Sequence, residues 1–332
     1  MKNNIVELPL VEPIYSTYHY QGASAAILAD NPSIINWYLN DVMMLSCNRK
    51  FLKGFTSPEI NIEHSEWGIN PYVEMIPYKM EFLNEHIHYV IKQLIDKGYY
   101  VCFSGVDDYY VEGKTWYKER HFLHDGCICG YNEYDKTYCI YAYDSNWIYQ
   151  KFWTPQKSFD KGRVAMFKKG IYGDIHGIKA LDTNIKFSHK RSLKAIKKYL
   201  DSDMDRYPED REGRVYGMVV HEYLNKYIGK LYDESIPYEK MDRRIFRMLW
   251  EHKKVMLLRI KAIENSLEFD NSLSEEYTKI VTEADNLRML YASHHMKKRN
   301  SILPIIQRKL IYISNYERDI LTKLLNKSKG EC

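Results

Sequence analysis

The chain has 332 residues, of which 45% are apolar, 28% charged and 14% aromatic, with 48 Lys and Arg against 44 Asp and Glu. Ordinary apolar content with only 16 Gly and 10 Pro excludes disordered and collagen-like classes, and a net charge of +4 gives no strong nucleic-acid field. No apolar run reaches the roughly 18 to 20 residues of a membrane span.

The opening Met1–Glu7 lacks a long apolar stretch, which predicts a cytosolic protein whose six cysteines stay reduced. Gln21-Gly22-Ala23-Ser24-Ala25-Ala26-Ile27-Leu28-Ala29 reads as small residues opening a short buried helix. Residues 81–97 carry Phe82, Ile87, Val90, Ile91, Leu94 and Ile95 at helical spacing, and Tyr99–Phe103 reads as a strand. Two β-rich runs, His124–Gly130 and Thr137–Asp144, flank Asn132-Glu133-Tyr134-Asp135 and predict a hairpin. Centred on Tyr134, that hairpin sets His124 opposite Asp144 and Ile128 opposite Ile140. Arg163–Phe167 reads as one more strand, and His176-Gly177-Ile178-Lys179 as a hinge.

Beyond the hinge the pattern turns helical, from a helix capped by Ser188 to one with Pro304 in its first turn. The fold class expected is therefore α+β, with a catalytic domain over 1–177 and a helical domain over 178–332. Basic clusters such as Arg243-Arg244 and Lys197-Lys198 read first as solvated helix faces, and second as a docking face for an acidic partner. His86 and His88 are two apart on a helix and cannot share one metal, so no metal site is expected.

An imidazole held opposite a carboxylate suits a general base, and its natural companion is a nucleophile at a helix start. Ala23 to Ala29 resembles the opening helix of papain-fold cysteine peptidases of the bacteriocin-processing type, in which a catalytic Cys precedes a small residue, two alanines and an apolar run. His124, Gly130-Tyr131 and Asp144 are similar to that family's second signature. The resemblance covers about residues 15–170. The helical half resembles relatives of the butirosin acyltransferase kind, which serve antibiotic pathways, and among these the branch that forms amide bonds in polythioamide biosynthesis.

The resemblance implies a papain-like fold and a Cys-His-Asp triad at positions 23, 124 and 144. The activity implied is transfer of an acyl or thioamidated peptidyl group from the phosphopantetheine of a carrier protein to an amine or diamine, with no cofactor bound directly. Ala23 stands where the family has its nucleophilic Cys, and a methyl group cannot attack a carbonyl. Either the chain is an inactive relative, Ser24 has taken over, or a cysteine has been replaced; the last is the reading carried forward. Gln21 and Ser24 are the oxyanion candidates, and Gln21 stands closer to position 23 than the family's Gln does. His121 is an alternative base. Trp67, Trp116 and Trp147, with the buried-channel candidate Trp37, are expected to line a water-excluding path for substrate. A peptidase with the same triad and a binding module with a native Ala23 are the alternatives.

Overall fold

The computed structural model describes residues 4–54, 56–202 and 213–329. Ten strands run in chain order as β1 (Ile5–Glu7), β2 (Leu45–Asn48), β3 (Asn61–Ile62), β4 (Val73–Lys79), β5 (Tyr100–Asp107), β6 (Leu123–Asn132), β7 (Thr137–Tyr143), β8 (Tyr149–Pro155), β9 (Asp174–Ala180) and β10 (Arg214–Tyr216). The α-helices are α1 (His19–Gly22), α2 (Ser24–Asp30), α3 (Ile35–Asp41), α4 (Met80–Leu83), α5 (Ile87–Asp96), α6 (Gln156–Phe167), α7 (His189–Asp201), α8 (Val219–Tyr232), α9 (Ile245–Ser266), α10 (Ser272–Lys297) and α11 (Leu303–Lys327). The fold is mixed α+β with antiparallel sheets.

The chain divides into two units, one of residues 1–34 and 66–184, the other of 35–65 and 185–332. The division differs from a single cut at 177/178. Residues 176–179 are no hinge: they sit inside β9, where Gly177 pairs with Val101 of β5 and with Ile76 of β4. An added Cβ at Gly177 would lie 2.8 Å from the end of the Leu94 side chain, which would have to move to admit it.

The first unit is built on a sheet of order β4-β9-β5-β6-β7-β8, with β1 alongside β6. Its apolar face carries Val101, Phe103, Ile128, Ile140 and Ile175, packed against Ile87, Ile91 and Leu94 of α5 and Phe159 of α6. Period-2 alternation puts a different row on the other face: His176, Cys102, Cys127 and Tyr141 stand side by side across β9, β5, β6 and β7. The strand expected at Arg163–Phe167 is the end of α6 instead. Ser158, Phe159, Gly162, Arg163 and Met166 are its buried residues, a helical spacing that outweighs the local run of β-formers.

The second unit gathers α3 and α7–α11 with the small sheet β10-β2-β3. Residues 35–65 belong here because α3 is tied down at its C-terminal end. The buried Arg259 of α9 donates to the carbonyls of Leu39 (2.8 Å), Tyr38 (2.8 Å) and Val42 (3.0 Å) at the end of α3, the Tyr38 carbonyl also accepting from Val42 N–H. Ser188 caps α7 through Arg191 N–H at 3.4 Å. At the centre Glu317 accepts from Lys253 at 2.6 Å and Tyr199 at 3.1 Å, and also from Tyr277. Trp37 is packed in this unit's core against Tyr38, so it lines no channel. No described helix is long and apolar enough to cross a membrane.

Candidate active site

The β6–β7 hairpin forms in the expected register at Cys127–Tyr141 and Ile128–Ile140, then shifts at a bulge on Cys129. Toward the other end the ladder stops, and His124 pairs with Val106 of β5 instead. The carboxylate that reaches His124 therefore comes from the end of β5. His124 Nδ1 lies 2.6 Å from Asp108 Oδ2, and Asp108 is buried. A carboxylate at Nδ1 fixes the proton there and leaves Nε2 with its lone pair. Nε2 has no hydrogen-bond partner among the described residues.

Asp144 does other work, which corrects the expected His124–Asp144 pair. Its Oδ1 accepts from the N–H groups of Asn146 (2.8 Å) and Ile148 (2.9 Å), and its Oδ2 from Gln150 Nε2 at 2.6 Å. It closes the turn between β7 and β8. Burial works to raise its carboxyl, but these hydrogen bonds, first that of Ile148, bring it below the usual carboxylate value. The opposed geometry failed because sheet register sets partners only while the ladder lasts.

Lys114, wholly buried, completes the cluster. Its ammonium donates to the Asp125 carbonyl at 2.7 Å and lies 3.3 Å from Asp108 Oδ1. Burial lowers its pKa, opposed by the Asp108 charge. Burial likewise pushes His124 below its ordinary value; the Asp108 bond works against that, and the Lys114 charge reinforces it. A neutral imidazole with a free Nε2 is the form a general base needs. Asp108 and Lys114 were not legible in the sequence, since nothing local marks a lysine for full burial. The alternative base, His121, is held separately, its Nδ1 2.8 Å from Asp107 Oδ2.

Ala23 joins α1 to α2 with helical backbone (φ −60°, ψ −14°), and its carbonyl accepts from Ala26 and Ile27. It is thus the N-cap of α2, but helix begins a turn earlier, at His19. Residues four apart share a helix face. His19 on that face lies 4.0 Å, centroid to centroid, from the His124 ring, and its Nε2 accepts from Tyr143 N–H at 3.2 Å. His19 was missed in the sequence, where nothing separates it from any polar helix residue. Gly22 meets Tyr149, whose hydroxyl carbon and oxygen leave no room for a Cβ.

The oxyanion candidates are structural in part. Ser24 Oγ, buried, accepts from Ile14 N–H at 3.2 Å, and Gln21 Oε1 accepts from Tyr18 N–H at 3.3 Å at the start of α1. The tryptophans fall into two groups. Trp116 meets Trp147 (5.1 Å) and Phe122 (6.1 Å), and Phe122 meets His124 (4.9 Å), a line of rings leading from the imidazole to the exposed Trp147. Trp67 lies apart, 5.3 Å from His176. The five described cysteines are free thiols; Cys332 lies outside the described residues. No three described His, Cys, Asp or Glu side chains are grouped to hold a metal ion.

No protein-family model matches the chain, and no curated protein matches it.

Proposed function

We propose that the first unit is a papain-like acyl-transfer site that lacks its nucleophile at position 23, and that the chain with Ala23 binds substrate without turning it over. The observation that carries this reading is His124: anchored at Nδ1 by Asp108, open at Nε2, and tilted against the ring of His19, which lies one helical turn before Ala23. A base so held has a clear use once a thiol stands at position 23.

The cycle then balances as follows. His124 takes the thiol proton, and the thiolate attacks the carbonyl of a carrier-bound acyl thioester. The carrier pantetheine leaves as a thiol with the proton from the imidazolium. An amine next attacks the acyl-enzyme, passes its proton to His124, and the thiol at position 23 is released as the amide forms. Asp108 stabilises the imidazolium at each stage, in the role that the sequence reading gave to Asp144. The rings of Phe122, Trp116 and Trp147 support an apolar or aromatic acyl chain, as in polythioamide assembly, and an acidic carrier protein in the cytoplasm is the partner proposed.

The test is Ala23→Cys, incubated with a carrier-bound acyl chain and an amine, with protein and product followed by mass. An acyl adduct at position 23 that collapses to amide supports the proposal. Free acid alone assigns the site to hydrolysis, as in a peptidase. Neither adduct nor product overturns the assignment and leaves a binding module with a native alanine.

A further inference from the structure

On the sheet face opposite the α5–α6 core lies a cavity of about 100 Å³, bounded by His19, Tyr20, Trp67, Cys102, Asp125 and His176. Strand alternation accounts for three of these. Asp125 is two residues before Cys127 on β6, Cys102 is opposite Cys127, and His176 is opposite Cys102, so all three share one face.

Asp125 is the anomaly. Its backbone carbonyl takes the Lys114 ammonium, but its carboxylate makes no hydrogen bond or ion pair among the described residues. The local charges do not balance. Lys114 is ion-paired with Asp108, whose other oxygen holds a His124 that burial keeps below its ordinary pKa. His176 also supplies no charge, since burial lowers it too. One carboxylate is left over in a space walled by Trp67 and Tyr20. A half-buried carboxylate with no ion pair of its own is costly, burial raising its pKa against the pull of His124 and Lys114, and aromatic walls favour an organic cation. A hard metal ion would want several oxygen ligands, which this cavity lacks.

We infer that this cavity binds a small primary alkylammonium ion, with its nitrogen on the Asp125 carboxylate and its alkyl chain against Trp67. The volume suits an ion of a few heavy atoms. Because His19 bounds the cavity and its ring centroid lies 4.0 Å from that of His124, the cavity is the subsite for the acceptor amine, which passes its extra proton to Asp125 to become the attacking neutral amine; that role rests on the acyl-transfer reading, whereas the binding does not.

The experiment is a calorimetric titration of the full Ala23 chain with n-propylammonium chloride, against sodium chloride at equal ionic strength. Saturable binding is expected with propylammonium alone, weakened at least tenfold by Asp125→Asn and several-fold by Trp67→Ala. If Asp125→Asn does not fold, Trp67→Ala decides the matter. Absence of saturable binding, equal competition by sodium, or unchanged affinity in the folded variants overturns the inference. Adduct formation by Ala23→Cys needs no amine, so an adduct without propylammonium binding sinks only this inference. Binding without an adduct sinks only the acyl-transfer reading.

Discussion

His124 and Asp108, sixteen residues apart, meet at 2.6 Å through Nδ1 and Oδ2, whereas Asp144 spends both carboxylate oxygens on the turn that follows it. The two aspartates therefore differ in what their loss does. In an Ala23→Cys background, Asp108→Asn is expected to slow single-turnover acyl-adduct formation by about 10²- to 10⁴-fold, the range of a misoriented general base. Asp144→Asn should cost less than tenfold at equal folded fraction. Mass spectrometry of the adduct over time measures both, and the reverse ranking would return the role to Asp144.

Gly22 is a packing requirement. A Cβ there would lie 2.1 Å from the Tyr149 hydroxyl, with two ring carbons nearly as close. Gly22→Ala should therefore lower stability by about 1–3 kcal/mol, the usual cost of overpacking. Urea unfolding reads this directly; an unchanged midpoint would mean that α1 can lift from β8 at no cost.

The Lys253–Glu317 pair in the second unit is fully buried, with Tyr199 and Tyr277 completing the shell of Glu317. Lys253→Met leaves a buried carboxylate without its cation, and about 3–5 kcal/mol of stability should be lost. The double variant Lys253→Met, Glu317→Gln should recover part of that loss. If the double variant is the less stable, the pair contributes less than its setting implies.

Acid should weaken the second unit through its buried histidines. Burial, with the Lys253 charge adding to it, depresses His221 to about 3, and His252 is also held well below its ordinary value. An unfolded histidine takes a proton below about pH 6.5, while these folded ones do not. The stabilising contribution of His221 is complete above that pH and falls away toward about 3, by roughly 1.4 kcal/mol per pH unit, and His252 adds to the loss in the same direction. Thermal melting from pH 8 to 4 should show a plateau followed by a decline, and His221→Gln should make the decline shallower. A melting temperature flat down to pH 5 would contradict this.

The sequence by itself determined the α+β class, the Ser188 cap, the long C-terminal helices and the central register of the β6–β7 hairpin. Each of these is written in short-range chemistry: period, caps and turn residues. The sequence also offered His124 as a candidate base, from the hairpin register and the resemblance of its block to a family signature. The tertiary structure alone decided which aspartate holds it. Asp108 and Asp144 both follow strands, and only the point where the β6–β7 ladder ends, leaving His124 beside β5, separates them. The same holds for Lys114, Asp125 and His19, polar residues whose meaning lies in burial and in neighbours far along the chain. It holds too for residues 35–65, assigned to the second unit by an arginine more than two hundred residues away. Local propensity carries no record of such partners, since the free energy that selects them appears only when the sheet and helices have closed around them.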